Sequence, residues 1–201
     1  IAKLKSPVIL PIAAAAQTTH YRNKLEYTFA THAFVPKETY KKQQTFFETG
    51  GVAGFHAKGI FYKVVDVETC YLQPEPSNQV RLAIKKFALE NHFPFYNILQ
   101  HTGWLRNVQV RMSTTGEWML NVVLGYDDEE KRNSLLSFIQ QQFPSLTSLY
   151  YTINPKKNDS LNDLQPVLYA GKKYIEEKLE EFRFKAGEPL RATRPLGRGQ
   201  D

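Results

Sequence analysis

The stretch 104–126 constrains the fold of this chain more than any other. Leu105, Val108 and Val110 in one arm answer Trp118, Leu120, Val122 and Leu124 in the other, and Thr114-Thr115-Gly116 joins them. The segment therefore reads as a β-hairpin with one strongly apolar face. A lone hairpin cannot keep such a face out of water, so other parts of the chain must cover it.

Two stretches at helical spacing can provide the cover. Ser77 stands where an N-cap opens a helix running to about Asn91, with Val80, Ile84, Phe87 and Ala88 on one side and Pro94 as its stop. Asp127 and Asp128 open a second helix whose apolar positions are Leu135, Leu136, Phe138 and Ile139, closed by Phe143-Pro144. More strands are expected where Leu25, Tyr27 and Phe29 alternate with Lys24, Glu26 and Thr28, and over 52–56, 61–67 and 146–153, with short ones at 166–169 and 182–185. This order of elements predicts an α+β fold, a largely antiparallel sheet with two helices on one face.

With 201 residues, 42% of them hydrophobic, the chain can fill one core. The expected organisation is a linker from a preceding domain over 1–20, one domain over 21–186, and a tail over 187–201 rich in Pro, Gly and Arg that is disordered or held by a neighbour. The polar run 37–44 reads as a mobile loop. Apolar residues 8–16 are interrupted by Pro11 and fall short of the ~20 residues a spanning helix needs. Their basic lead and small side chains have features of a weak signal peptide. An extended linker is favoured because the chain begins without Met, and no membrane association is expected.

Lys and Arg number 26 against 20 Asp and Glu, a formal charge of +6 that permits a polyanionic partner without identifying one. The single cysteine, Cys70, excludes an intrachain disulfide and suits a reducing, cytoplasmic setting. After an apolar strand it reads first as a small buried hydrophobe. The five histidines show no metal-binding helical spacing, and neither a Gly-x-Gly-x-x-Gly nor a phosphate-loop motif occurs.

Four places carry groups suited to RNA. Arg22 and Lys24 enter the first strand, as a solvated strand end or as a phosphate clamp of guanidinium fork and ammonium. His56 and Lys58 sit in a glycine-flanked turn, where the imidazole can stack on a splayed base for ~1–3 kcal/mol, or where Phe55 simply anchors a hairpin in the core. Arg106 and Arg111 are expected to face outward from the hairpin, for a salt bridge or an RNA contact. Lys156 and Lys157 lie in a polar loop that can meet phosphate. The acidic groups Asp127 to Glu130 suit a helix start, and Glu176, Glu177, Glu180 and Glu181 a solvated face.

Several motifs occur in a fixed order: Tyr21-Arg22-Asn23-Lys24-Leu25-Glu26, then Gly54-Phe55-His56 through to Cys70, then Gly103-Trp104-Leu105-Arg106, then Ile153-Asn154-Pro155-Lys156-Lys157, then Tyr169-Ala170-Gly171. Together they resemble the central domain of the S-adenosylmethionine-dependent RNA uracil-5 methyltransferases of the RumA/TrmA type, over about 11–187. The resemblance implies a fragment that helps to position ribosomal or transfer RNA, Arg22 being the first choice for an RNA contact and His56 and Lys58 facing RNA. It also implies a missing catalytic domain of the same protein, where a cysteine adds to carbon 6 of the uracil and S-adenosylmethionine donates the methyl group. Cys70 matches the place where many members put the fourth ligand of a four-iron, four-sulfur cluster, which this chain cannot assemble alone. After Lys185 the family continues into a Ser-Phe-x-Gln-x-Asn segment that is absent here, so the residues present are expected to be inactive by themselves. The alternatives are a stand-alone RNA-binding or assembly module without catalysis, and an unrelated structural domain with incidental charge.

Overall fold

The structure, a computed structural model of the chain, describes residues 10–36, 50–187 and 194–195. The expected loop over 37–44 and most of the expected tail lie outside the described residues. Among the described residues no helix is long and apolar enough to cross a membrane.

The hairpin forms as its alternation predicts. Strand β4 (Leu105–Met112) pairs antiparallel with β5 (Trp118–Leu124), and β1 (Lys24–Ala30) lies along the other edge of β4. Beyond β1 follow β2 (Val52–Ala57) and β3 (Ile60–Asp66); beyond β5 follow β6 (Ser148–Ile153) and β7 (Val167–Gly171). The seven strands run in the order β3-β2-β1-β4-β5-β6-β7. Every neighbouring pair is antiparallel except β5 and β6, which are parallel. The sheet is therefore mixed, largely antiparallel as expected but with one parallel pair that the expectation did not include. Parallel neighbours need a crossover of a dozen or more residues, and helix α2 (Glu129–Gln142) supplies it.

Helix α1 (Ser77–Glu90) and α2 both cover the same face of the sheet. Val80, Ile84 and Ala88 of α1 and Leu135, Leu136 and Ile139 of α2 join Leu25, Tyr27, Phe29, Val108, Val110, Leu120 and Val122 in one core. Each large apolar side chain so buried is worth about 1.5–3 kcal/mol. Phe87 and Phe138 stack at 4.2 Å where the helices meet. Asp128 caps α2 by accepting from the Lys131 N–H at 3.1 Å, as expected. Ser77 does not cap α1. Pro76 holds the cap position, Ser77 is buried in the first turn with its hydroxyl donated to Gln73 at 2.6 Å, and the Glu75 carboxylate takes the Gln79 N–H at 3.0 Å instead.

A second sheet, β8 (Ile175–Leu179), β9 (Phe182–Ala186) and the pair β10 (Arg194–Pro195), follows β7. Residues read as a solvated acidic face thus contribute a strand: the Glu176 N–H donates to Glu117 at 2.7 Å and the Glu177 carboxylate accepts the Thr114 N–H at 2.8 Å. Met119 and Tyr150 from the large sheet pack with Ile175 and Ala186. These residues alternate with the helix-covered ones, so the small sheet lies against the opposite face.

Candidate nucleic-acid interface

That opposite face carries a row of polar side chains in strand register. Asn107 and Gln109 of β4 donate to the two carboxylate oxygens of Glu26 on β1, at 2.6 and 2.9 Å. Gln109 accepts from Asn121 of β5 at 3.3 Å, and Asn121 accepts from Thr152 of β6 at 3.0 Å. Toward the other edge, Thr28 of β1 meets His56 Nε2 of β2 at 3.2 Å. Asn121 and Thr152 are fully buried and Asn107, Gln109 and Thr28 nearly so. A satisfied network of this kind gives a rigid sheet face with fixed polarity.

Where β1 begins and β4 ends, a cleft of about 570 Å³ includes Arg22, Arg111, Ser113, Thr114, Glu177 and Phe184. The chain before β1 is fixed there by His20 and Arg22 N–H groups donating to the carbonyls of Tyr71 and Leu72, at 2.7 and 2.9 Å. Arg22 itself is exposed. Lys24 is half-buried opposite Arg111 across the β1–β4 ladder. Burial lowers its pKa, the Arg111 charge lowers it further, and Glu26 opposes both. Arg111 is also shifted down by burial, against the pull of Glu177.

The β2–β3 turn frames a second, open cleft of about 650 Å³ lined by His56, Lys58, Phe61, Ile98 and Asp159 among others. Gly59 allows the tight turn at φ +79°, and the register slips between His56 and Ala57. His56 and Lys58 are exposed, while Phe55 packs against the core with its ring 5.2 Å from that of Tyr27. Gly54 is obligatory for the pairing: a Cβ there would stand 2.0 Å from the Val65 carbonyl oxygen.

Arg106 is where expectation and structure part. It is 2% exposed, not outward-facing. A register shift between Leu105 and Asn107 makes it the extra residue of a bulge and takes it out of the strand alternation. Its guanidinium donates to the carbonyls of Asn154, Lys156 and Asn158 at 2.8, 2.6 and 3.1 Å and to Asp159 Oδ1 at 2.8 Å, and lies 4.0 Å over the Tyr96 ring. Arg106 thus builds the loop over 154–159 rather than presenting a charge to solvent. Within that loop Lys156 pairs with Asp163, so Lys157 is the more available of the two lysines.

The structure brings His56, Lys58 and the Arg106-held loop to one cleft, and places Arg22 and Arg111 at the other. Phe61, expected from sequence only as a strand residue, and Asp159 line the cleft at the β2–β3 turn as well. Phe61 is 68% exposed at the turn, a position signalled only by the glycine two residues before it.

Cys70 is buried, its N–H donated to Asn78 at 2.8 Å. Among the described residues no group of three or more His, Cys, Asp or Glu could hold a metal. With one cysteine in the whole sequence, the chain offers one of the four thiolates that an iron–sulfur cluster takes. Arg81, buried nearby, donates to the carbonyls of Ala53, Val67 and Glu68 and to Asn78, clamping the segment that leads to Cys70.

No family model matches the chain. It is 38% identical over 190 residues to an uncharacterized RNA methyltransferase of Bacteroides thetaiotaomicron, a match covering 93% of this chain and 42% of that protein. A counterpart in Porphyromonas gingivalis is 37% identical over 191 residues, covering 93% and 41%, and one in Chlorobaculum tepidum is 30% identical over 187 residues, covering 92% and 39%. The chain thus spans about two fifths of the length of these relatives. Its fold is similar, at a TM-score of 0.60 and 21% identity, to the Pyrococcus abyssi tRNA (uracil-54, C5)-methyltransferase in complex with S-adenosyl-L-homocysteine, over 86% of this chain and 36% of that one. With the motif order in its sequence and relatives of this similarity along nearly its whole length, the chain belongs to the RNA methyltransferase family that its motifs resemble.

Proposed function

We propose that this chain is the RNA-positioning part of an S-adenosylmethionine-dependent RNA (uracil-5) methyltransferase. The observation that carries the reading is the open cleft at the β2–β3 turn, where the exposed imidazole of His56, ammonium of Lys58 and ring of Phe61 lie together. Aromatic planes beside a cation suit a single-stranded nucleic acid, whose bases stack while its phosphates pair. Arg22, exposed in the other cleft, adds a planar fork for phosphate.

The S-adenosyl-L-homocysteine bound by the structural neighbour supports a methyl donor of that class. Bound in the whole protein, S-adenosylmethionine would supply the methyl group. The residues present bind and orient the RNA: the polar row holds the sheet face rigid, the two clefts grip the strand, and the Arg106-built loop closes one side. Nucleophile and donor site belong to a further catalytic domain. An enzyme acting on carbon 5 must reach a base outside its stack, and a grip on both sides of that base keeps it there.

Titration of labelled single-stranded and hairpin RNA at several salt concentrations tests this reading. Binding should weaken steeply with salt as neutralised phosphates exchange for counterions. Arg22→Ala should weaken it by about 1–2 kcal/mol and reduce the salt slope by roughly one unit. His56→Ala should lower affinity with little change in slope. Equal affinities for Arg22→Ala and the unaltered chain at every salt concentration would remove Arg22 from the RNA surface.

A further inference from the structure

The cleft at the β2–β3 turn contains one group that phosphate binding does not call for. Asp159 lines it together with Lys58 and Phe61, and a carboxylate repels a phosphodiester. This carboxylate is not a loosely placed surface acid. Its Oδ1 accepts from Arg106 at 2.8 Å, and Arg106 is itself held by three loop carbonyls and the Tyr96 ring. A carboxylate offers about four acceptor sites, so the one bond to Arg106 leaves the group able to accept from a ligand in the cleft. The remaining lining is suited to a flat apolar body: Phe61 is 68% exposed, and Ile98 lies in the same wall.

A fixed acceptor pair beside an exposed ring selects a base whose edge presents adjacent N–H donors. Guanine is that base, with N1–H and the 2-amino group side by side. Uracil presents a single N–H between two carbonyl oxygens, which a carboxylate disfavours. We propose that this cleft is a subsite for one unstacked guanine of the bound RNA, its ring on Phe61, its N1–H and amino group donating to Asp159, and its flanking phosphate meeting Lys58. The inference rests on the RNA-binding reading above and deepens it: the cleft grips a neighbour of the target and rejects uracil itself.

Short single strands that differ only at one central base test it, titrated against the 201-residue chain. A central guanine should bind about tenfold more tightly than uracil. Inosine, which lacks the 2-amino group, should lose roughly threefold against guanine. Asp159→Asn should bring guanine and uracil to within about twofold of each other, and Phe61→Ala should weaken every strand roughly fivefold or more. If Asp159→Asn loosens the loop, the guanine-to-inosine comparison on the unaltered chain still decides. Equal affinity for guanine, inosine and uracil, with normal salt dependence, overturns the guanine subsite and leaves the RNA reading intact. A guanine preference that survives in Asp159→Asn also overturns it. Failure of every strand to bind overturns both.

Discussion

Tyr27 shows how strongly position governs a single side chain here. It is fully buried on β1, its hydroxyl 2.8 Å from that of Ser77 and its ring 5.1 Å from the Arg81 guanidinium. Burial, the largest cause, pushes its pKa up to about 12; the Ser77 bond opposes the shift, and Cys70 adds to it. An unfolded tyrosine titrates near 10, so the folded state holds its proton more tightly. The stability this contributes is complete below pH ~10 and is lost as pH rises toward ~12, by roughly 2–3 kcal/mol in all. Urea unfolding across that range should show the fall, and Tyr27→Phe should flatten it by removing the ionisable group. A profile of the same steepness in both proteins would place the titrating group elsewhere. Arg106 carries the opposite lesson. Its outward orientation was expected from strand alternation, yet the spacing of Leu105, Val108 and Val110 already breaks that alternation by one residue, and the bulge turns Arg106 inward.

At the scale of elements, the loop over 154–159 depends on a strand far from it in sequence. Its carbonyls at Asn154, Lys156 and Asn158 find their donors in one guanidinium on β4. Arg106→Ala removes all of these at once and should destabilise the fold by about 3 kcal/mol. Arg106→Lys should recover less than half of that, because an ammonium lacks the planar fork. Denaturant midpoints measure both. Hydrogen exchange should also speed up in the loop more than in β5, and uniform acceleration across the chain would contradict a local anchoring role. The two helices were readable from periodicity alone, since Val80, Ile84 and Ala88 and Leu135, Leu136 and Ile139 meet the core as their spacing predicts. Strand β8 was not, because its Glu176-Glu177-Lys178 run looks solvated until Thr114 and Glu117 are placed beside it.

For the molecule as a whole, the chain spans about two fifths of the length of its RNA methyltransferase relatives. Its one cysteine is buried beneath α1, bonded through its backbone to Asn78. The 201 residues incubated with S-adenosylmethionine and substrate RNA should therefore transfer no methyl group, while still binding the RNA in a salt-dependent way. Radiolabelled methyl transfer and anisotropy, run in parallel, separate the two properties. Turnover that disappears in Cys70→Ala would show a catalytic centre within this chain and overturn the proposed division of labour.

Local periodicity in the sequence determined the central hairpin, both helices and most strands, because each depends on which residues lie two, three or four positions apart. The ordered motifs pointed to the family, since they follow one another along nearly the whole chain. Only the tertiary structure decided that β6 runs parallel to β5, that Arg106 turns inward, and that Phe61, Lys58 and Asp159 line one cleft. These outcomes rest on contacts between residues some thirty to a hundred positions apart, such as the pairing of Val122 with Tyr151 and the bonds from Arg106 to Asn158 and Asp159. Such contacts follow from how the sheet is ordered and where a bulge falls, and no local pattern of side chains encodes them.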